Sequence, residues 1–219
     1  ILKTRLICQT NRNLLTPTTN PTPCYESSED LVVKVRKAVI KLNKMNTQGK
    51  YKISRYYDNG QMASETNYKD GELDGLGKYW YENGQMASEV NYKDGELDGL
   101  GKYWYDNGQM QMEASNKDGG LDGIRKRWYS SGKLESKTNF KNRKRDGLAK
   151  GWWENGQLEY ETNWKDGEAD GLAKTWYPNG QLESESNYKD DEIDGEDKAW
   201  YEDGHLEYTR YYTDGDEVL

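Results

Sequence analysis

The stretch Tyr81-Glu-Asn-Gly-Gln-Met-Ala-Ser-Glu-Val-Asn-Tyr-Lys-Asp-Gly-Glu-Leu-Asp-Gly-Leu-Gly-Lys-Tyr-Trp104 decides how this chain folds. It contains two clusters of turn formers, Asn83-Gly84 and Asp94 to Gly99, separated by runs in which apolar and polar residues alternate. Period two is the mark of a strand with two unlike faces. Asn-Gly between such runs predicts a two-residue type I′ hairpin turn, because both central residues need φ > 0. Lys93 to Gly99 reads as a longer connection, and Leu100 to Tyr105 as a second, aromatic strand.

The same unit recurs along the chain. The turn glycines are Gly60, Gly84, Gly108, Gly132, Gly156, Gly180 and Gly204, always 24 residues apart. A second series runs Gly75, Gly99, Gly123, Gly147, Gly171 and Gly195. Tryptophan keeps the period at Trp80, Trp104, Trp128, Trp152, Trp176 and Trp200. An invariant period of this length is the signature of a repeat architecture, in which each unit buries its surface against its neighbours. The expected fold is therefore all-β: an elongated single-layer antiparallel β-meander, or solenoid, of about seven 24-residue β-hairpin repeats. A turn centred on Asn83-Gly84 places Tyr81 opposite Met86, Trp80 opposite Ala87 and Lys78 opposite Glu89. The Lys/Glu match returns as Lys102/Glu113, Lys150/Glu161 and Lys174/Glu185, with Lys126/Lys137 as the exception. Opposite charges directly across a ladder are favourable, which supports the register.

These units resemble the MORN repeat variant, the bacterial form of the MORN repeat, over about residues 55–219. The resemblance rests on Tyr-Tyr/Trp-x-Asn-Gly-Gln-Met/Leu followed by Asn-Tyr-Lys-Asp-Gly-Glu-Leu-Asp-Gly. It implies a twisted β-meander and a role as an interaction scaffold, with antitoxin or immunity proteins among family members. Asn116 departs from the usual Tyr, and Lys141 to Arg145 departs from the usual Lys-Asp-Gly-Glu-Leu. The last unit reads as ending without its second strand.

Residues 1–50 differ from the array at 51–219. They predict a strand over Ile1 to Thr10, a Pro/Thr-rich linker over Thr16 to Pro23, and an amphipathic helix opening at Ser27. This segment reads as a cap on the first sheet edge or as an oligomerisation element. Cys8 and Cys24 stand as either one disulfide or two thiols. The start at Ile1 reads as processing, truncation or incompleteness. Processing favours an extracellular or cell-envelope location over the cytoplasm.

Composition narrows the function classes. One His and two Cys in 219 residues leave little for catalytic or metal chemistry, so the expectation is a non-enzyme with no cofactor and no metal. Asp70-Gly-Glu-Leu-Asp-Gly75 has a faint calcium-loop look, but Tyr81 stands where the closing Glu belongs. No apolar run is long enough for a transmembrane helix. Residues 1–50 carry a net charge of +6 and the remainder −14, which disfavours nucleic acid as the array's partner. The candidate partner-binding stripe is the Trp series, since Trp dominates binding hot spots, with stacking between hairpins as its structural alternative. The candidate assembly edge joins Ile1, Leu2, Leu6 and Ile7 to Leu206, Tyr208, Tyr211 and Tyr212. Through it, copies would pair head to tail into a filament. A protein partner or self-association is thus expected.

Overall fold

The computed structural model describes residues 48–218. The N-terminal strand, linker, helix and both cysteines expected from the sequence lie outside these residues. The described residues form seventeen antiparallel strands in one open sheet. Strands pair in sequence order from Lys50–Tyr56 at one end to Asp216–Val218 at the other, except that Glu96–Leu97 and Gly99–Trp104 both pair with Met86–Lys93, and Lys144–Arg145 and Gly147–Trp152 both pair with Leu134–Lys141. No helix occurs among them.

The two turns of each unit are exchanged relative to the sequence expectation. At Asn83-Gly84 only the glycine has positive φ, 86°. The Gly84 N–H donates to the Tyr81 carbonyl (2.9 Å), and the Tyr81 N–H donates to the Gln85 carbonyl (2.8 Å). This is a three-residue loop, a type I turn closed by a glycine bulge. Tyr81 therefore faces Gln85, and Trp80 faces Met86 rather than Ala87. A second bulge, at Ala87, then shifts the register by one, so Lys78 meets Glu89 after all. The type I′ turn sits instead at Asp94-Gly95, with φ of 48° and 85°. Lys93 pairs directly with Glu96 across it, so the expected long connection is a tight hairpin. A further bulge at Asp98-Gly99, with Gly99 at φ 99°, interrupts the returning strand.

Residues 116 and 141–145 keep this geometry despite their departures. Asn116 pairs with Gly99 in the place of Tyr92. Asn142 and Arg143 adopt the type I′ turn at φ 51° and 70°. The last unit does have a second strand, contrary to the sequence reading: Asp216–Val218 pairs with Tyr211, Tyr212 and Thr213.

A single sheet has no layer to close a core, and burial is concentrated in one row. Thr66, Gly77, Val90, Gly101 and Ala114 follow one another across the strands on one face. Thr66 is 1% exposed and Val90 and Ala114 2%. Large rings from neighbouring rows close over these small residues. A Cβ on Gly77 would stand 2.9 Å from the Tyr92 ring and 3.3 Å from that of Tyr79. The two tyrosine hydroxyls bond each other at 3.2 Å, and burial pushes the Tyr92 phenol well above its ordinary range. Small residues beneath rings thus replace the second layer that a sandwich would supply.

Repeats are tied by side chains that reach 23 residues ahead. Tyr57, Tyr81, Tyr105, Tyr129 and Tyr177 donate their hydroxyls to the carbonyls of Trp80, Trp104, Trp128, Trp152 and Trp200, at 2.6–2.9 Å. In the fifth unit the Trp153 indole does the same toward Trp176 (2.9 Å). The turn asparagines work in both directions. Asn83 Oδ1 accepts the Gln85 N–H (2.9 Å), holding its own turn, and Nδ2 donates to the Asp106 carbonyl in the next (2.8 Å). Ser131 has no such amide, and Lys133 reaches the Glu154 carbonyl in its stead (2.8 Å). Each tie needs the next turn at one offset, which explains a period without insertions.

Candidate interaction face

Alternation along Leu100–Gly101–Lys102–Tyr103–Trp104 puts Leu100, Lys102 and Trp104 on the face opposite the buried row. Three parallel rows result on this outer face.

The first row contains the predicted tryptophans. Trp80, Trp104, Trp128, Trp152, Trp176 and Trp200 are all half-buried. They alternate with their ladder partners Met86, Met110, Leu134, Leu158, Leu182 and Leu206. Their carbonyls hold the inter-repeat bonds, so these residues carry structural work, while each indole keeps part of its surface in solvent.

The second row is a charge ladder. Glu65, Lys78, Glu89, Lys102, Glu113 and Lys126 are successive cross-strand neighbours, and Lys150, Glu161, Lys174, Glu185 and Lys198 continue the series. Lys102 and Glu113 are register partners, as the sequence reading requires, although the closest cation to Glu113 is Lys126 at 3.7 Å. Lys78–Glu89 (3.5 Å), Lys174–Glu185 (2.6 Å) and Lys150–Glu161 are ion pairs. Alternation fails once, at Lys137, which lies between Lys126 and Lys150.

The third row was not singled out from the sequence. Leu100, Ile124, Leu148 and Leu172 are 41%, 41%, 37% and 37% exposed. They follow the second glycine of each unit, and that 24-residue spacing was the available signal. Each stands two residues before a ladder lysine and four before a tryptophan, so aliphatic, charged and aromatic rows run side by side. Cross-strand spacing of ~4.8 Å puts like positions in adjacent units about 10 Å apart.

At the C-terminal side of the described sheet, Leu206 and Tyr211 are each 53% exposed, and Tyr208 and Tyr212 are half-buried. Asp216–Val218 covers Tyr211 to Thr213, which leaves the outer edge of Leu206 to Arg210 without a strand partner among the described residues. Ile1, Leu2, Leu6 and Ile7, the other half of the predicted assembly edge, lie outside those residues.

The acidic loop with a faint calcium-loop look forms a turn: Asp70 Oδ1 accepts the Gly49 N–H at 2.8 Å. No group of three His, Cys, Asp or Glu side chains able to hold a metal occurs among the described residues. His205 is an exposed turn residue beside Asp203 (3.0 Å), whose carboxyl is held below its usual range chiefly by the His205 N–H. No helix among the described residues is long and apolar enough to cross a membrane.

The profile of the MORN repeat variant matches seven times, at residues 52–70, 73–94, 97–117, 121–142, 145–166, 169–190 and 193–214. No curated protein matches the chain.

Proposed function

The chain belongs to the MORN repeat variant family, a non-catalytic family of interaction repeats, and from this premise we propose that it is a scaffold whose outer face binds a protein partner. The observation that carries this reading is the row Leu100, Ile124, Leu148 and Leu172, which lies exposed along the half-buried tryptophans. Apolar side chains in a regular exposed line offer an extended contact, and Trp beside them supplies the large desolvating area typical of hot spots. The repeat spacing suits a partner of extended or likewise periodic form. Such a scaffold needs no catalytic group and no cofactor. An antitoxin or immunity role is one form of this reading, with a toxin as the partner.

The test is affinity capture from the source cells with the wild-type chain and a Leu100→Ser, Ile124→Ser, Leu148→Ser, Leu172→Ser variant. These side chains are exposed, so the variant retains its β-sheet circular dichroism. Loss of a stoichiometric partner from the variant supports the outer face. Equal capture by both chains refutes it.

End-to-end polymerisation is the second reading, favoured by the unpaired stretch Leu206 to Arg210. Electron microscopy separates the two: discrete particles at high concentration refute the filament, and fibres support it.

A further inference from the structure

Charge is not spread evenly over the array. Residues 121–150 carry ten Lys/Arg and three Asp/Glu, whereas the rest of 51–219 carries 12 and 33. A basic band about three strands wide, ~14 Å, thus lies within an acidic sheet.

On the face opposite the tryptophans, this band breaks the row of small residues. Gly77, Gly101, Ala149 and Ala173 hold the same position in their units, and Arg125 holds it in the fourth. Its cross-strand neighbours Ala114 and Thr138 are buried. The Arg125 Nε is buried with no acceptor among the described residues. Its Cζ lies 4.9 Å from the Phe140 ring centroid, and that of Arg145 lies 4.4 Å from the Trp164 ring. Arg127, on the same face, is paired with Glu135 at 3.4 Å; no carboxylate pairs with Arg125 or Arg145 among the described residues. Burial lowers the Arg125 pKa, and repulsion from Arg127 and Arg145 adds to it. An alanine here would avoid both costs, as Ala149 does one unit on.

We propose that Arg125 and Arg145, stacked on Phe140 and Trp164 with Arg127 beside them, receive the carboxylates of a short acidic segment from another protein. A planar guanidinium presents a fork that matches a carboxylate, and stacking on a ring pre-organises it. Arg, Trp and aromatic neighbours together are the usual make-up of a binding hot spot. The band's width sets the length of the ligand. A long phosphate polymer would overrun it onto the acidic flanks, and a second copy of the array would bring acidic units against acidic units. The chain's own residues 1–50, at +6, carry the wrong charge. This site is on the face opposite the one proposed above and stands independently of it.

The test uses the full chain and a fluorescent four-residue peptide of alternating glutamate and leucine, ~13 Å long when extended and so matched to the band, read by anisotropy. The wild type binds saturably. Arg125→Ala, which restores the small residue of the row, weakens binding at least about tenfold. Arg145→Gln, at an exposed position, weakens it as well, and Lys126→Ala on the opposite face leaves it unchanged. The four-serine outer-face variant retains peptide binding, so failure of either proposal is separable from failure of the other. The inference is overturned if the folded wild type does not bind, or if Arg125→Ala and Arg145→Gln both bind as well as wild type. It is also overturned if inorganic polyphosphate binds more tightly than the peptide through the same arginines. Self-association of the full chain that Arg125→Ala abolishes would assign the band to a second copy and overturn it too.

Discussion

The Tyr105 hydroxyl donates a hydrogen bond of 2.8 Å to the carbonyl oxygen of Trp128, one repeat ahead. That carbonyl is at a strand end, beside a bulge, where the ladder itself gives it no regular partner. The phenol therefore does for the turn what a neighbouring strand does for the ladder, and it ties two units that share no loop. Tyr105→Phe removes only the oxygen and leaves a part-buried carbonyl unsatisfied, so it costs about 1 kcal/mol. Tyr201→Phe, at an exposed tyrosine in the seventh unit, costs nothing measurable. Urea unfolding of the two variants beside wild type checks the difference.

Arg143 sits at φ 70° where five of the other six units have glycine and one has Asp191. A side chain in the left-handed region costs about 1–2 kcal/mol, less the extra chain entropy that glycine carries when unfolded. Arg143→Gly also gives up the exposed hydrogen bond from its guanidinium to the Asp118 carbonyl, so it is expected to stabilise the chain by less than about 1 kcal/mol. Asp191, at φ 68°, gives a different answer. Its Oδ1 accepts the Ala169 N–H at 2.6 Å, and losing that bond offsets the relief. Asp191→Gly comes out near zero. Thermal melts of both variants decide the comparison.

Lys137 is the fault in the charge ladder, with Lys126 on one side and Lys150 on the other. Like charges directly opposite are destabilising, and opposite ones contribute roughly 0.2–1 kcal/mol. Lys137→Glu converts two repulsive pairs into attractive ones and raises the melting temperature at low salt. These side chains are partly exposed, so the gain shrinks as ionic strength rises past about 0.1–0.15 M. A gain that is unchanged in high salt would refute the electrostatic account.

Alkaline pH acts on the rings over the small-residue row. Burial is the first cause of the raised phenol pKa of Tyr92, Tyr103 and Tyr160. Above the ordinary value of 10.0 the unfolded chain has lost these protons and the folded chain still holds them. The folded state then binds more protons, so stability falls as pH rises. Stability from this source is complete below pH 10 and declines above it. Exposed rings ionise first, and the remaining tyrosinate absorbance is expected to appear together with the loss of β-sheet circular dichroism. A full tyrosinate signal from a chain with intact circular dichroism would contradict this.

The exchange of turns shows where local sequence reasoning stops. Asn83-Gly84 is a strong type I′ signal in isolation, yet Asn83 keeps negative φ because its side chain spans its own turn and the carbonyl of Asp106. The type I′ geometry falls to Asp94-Gly95, where the Gly95 N–H donates to the Leu73 carbonyl in the preceding unit (2.9 Å). Lys78 opposite Glu89 emerged correctly only because the longer, three-residue loop and the Ala87 bulge each displace the register by one, in opposite senses. Trp80 opposite Ala87, which lies between the two displacements, did not survive.

Arg125 and the exposed Leu100, Ile124, Leu148 and Leu172 were equally present in the sequence, yet a net charge of −14 for the array hid the basic band. Only alternation along a known strand puts Lys126 and Arg125 on opposite faces. The tyrosine ties 23 residues ahead had no local trace at all, since hydroxyl and carbonyl meet only when neighbouring hairpins are stacked.

By itself, the sequence determined that this protein is a β-hairpin array with a 24-residue period, because periodic glycines and two-residue alternation are properties of the chain's own backbone. The tertiary structure alone decided which turn takes which form, which residues bulge, and which rings cover the small row. Those choices depend on hydrogen bonds and contacts between units, and a carbonyl such as that of Trp128 acquires its partner only once the preceding repeat is in place.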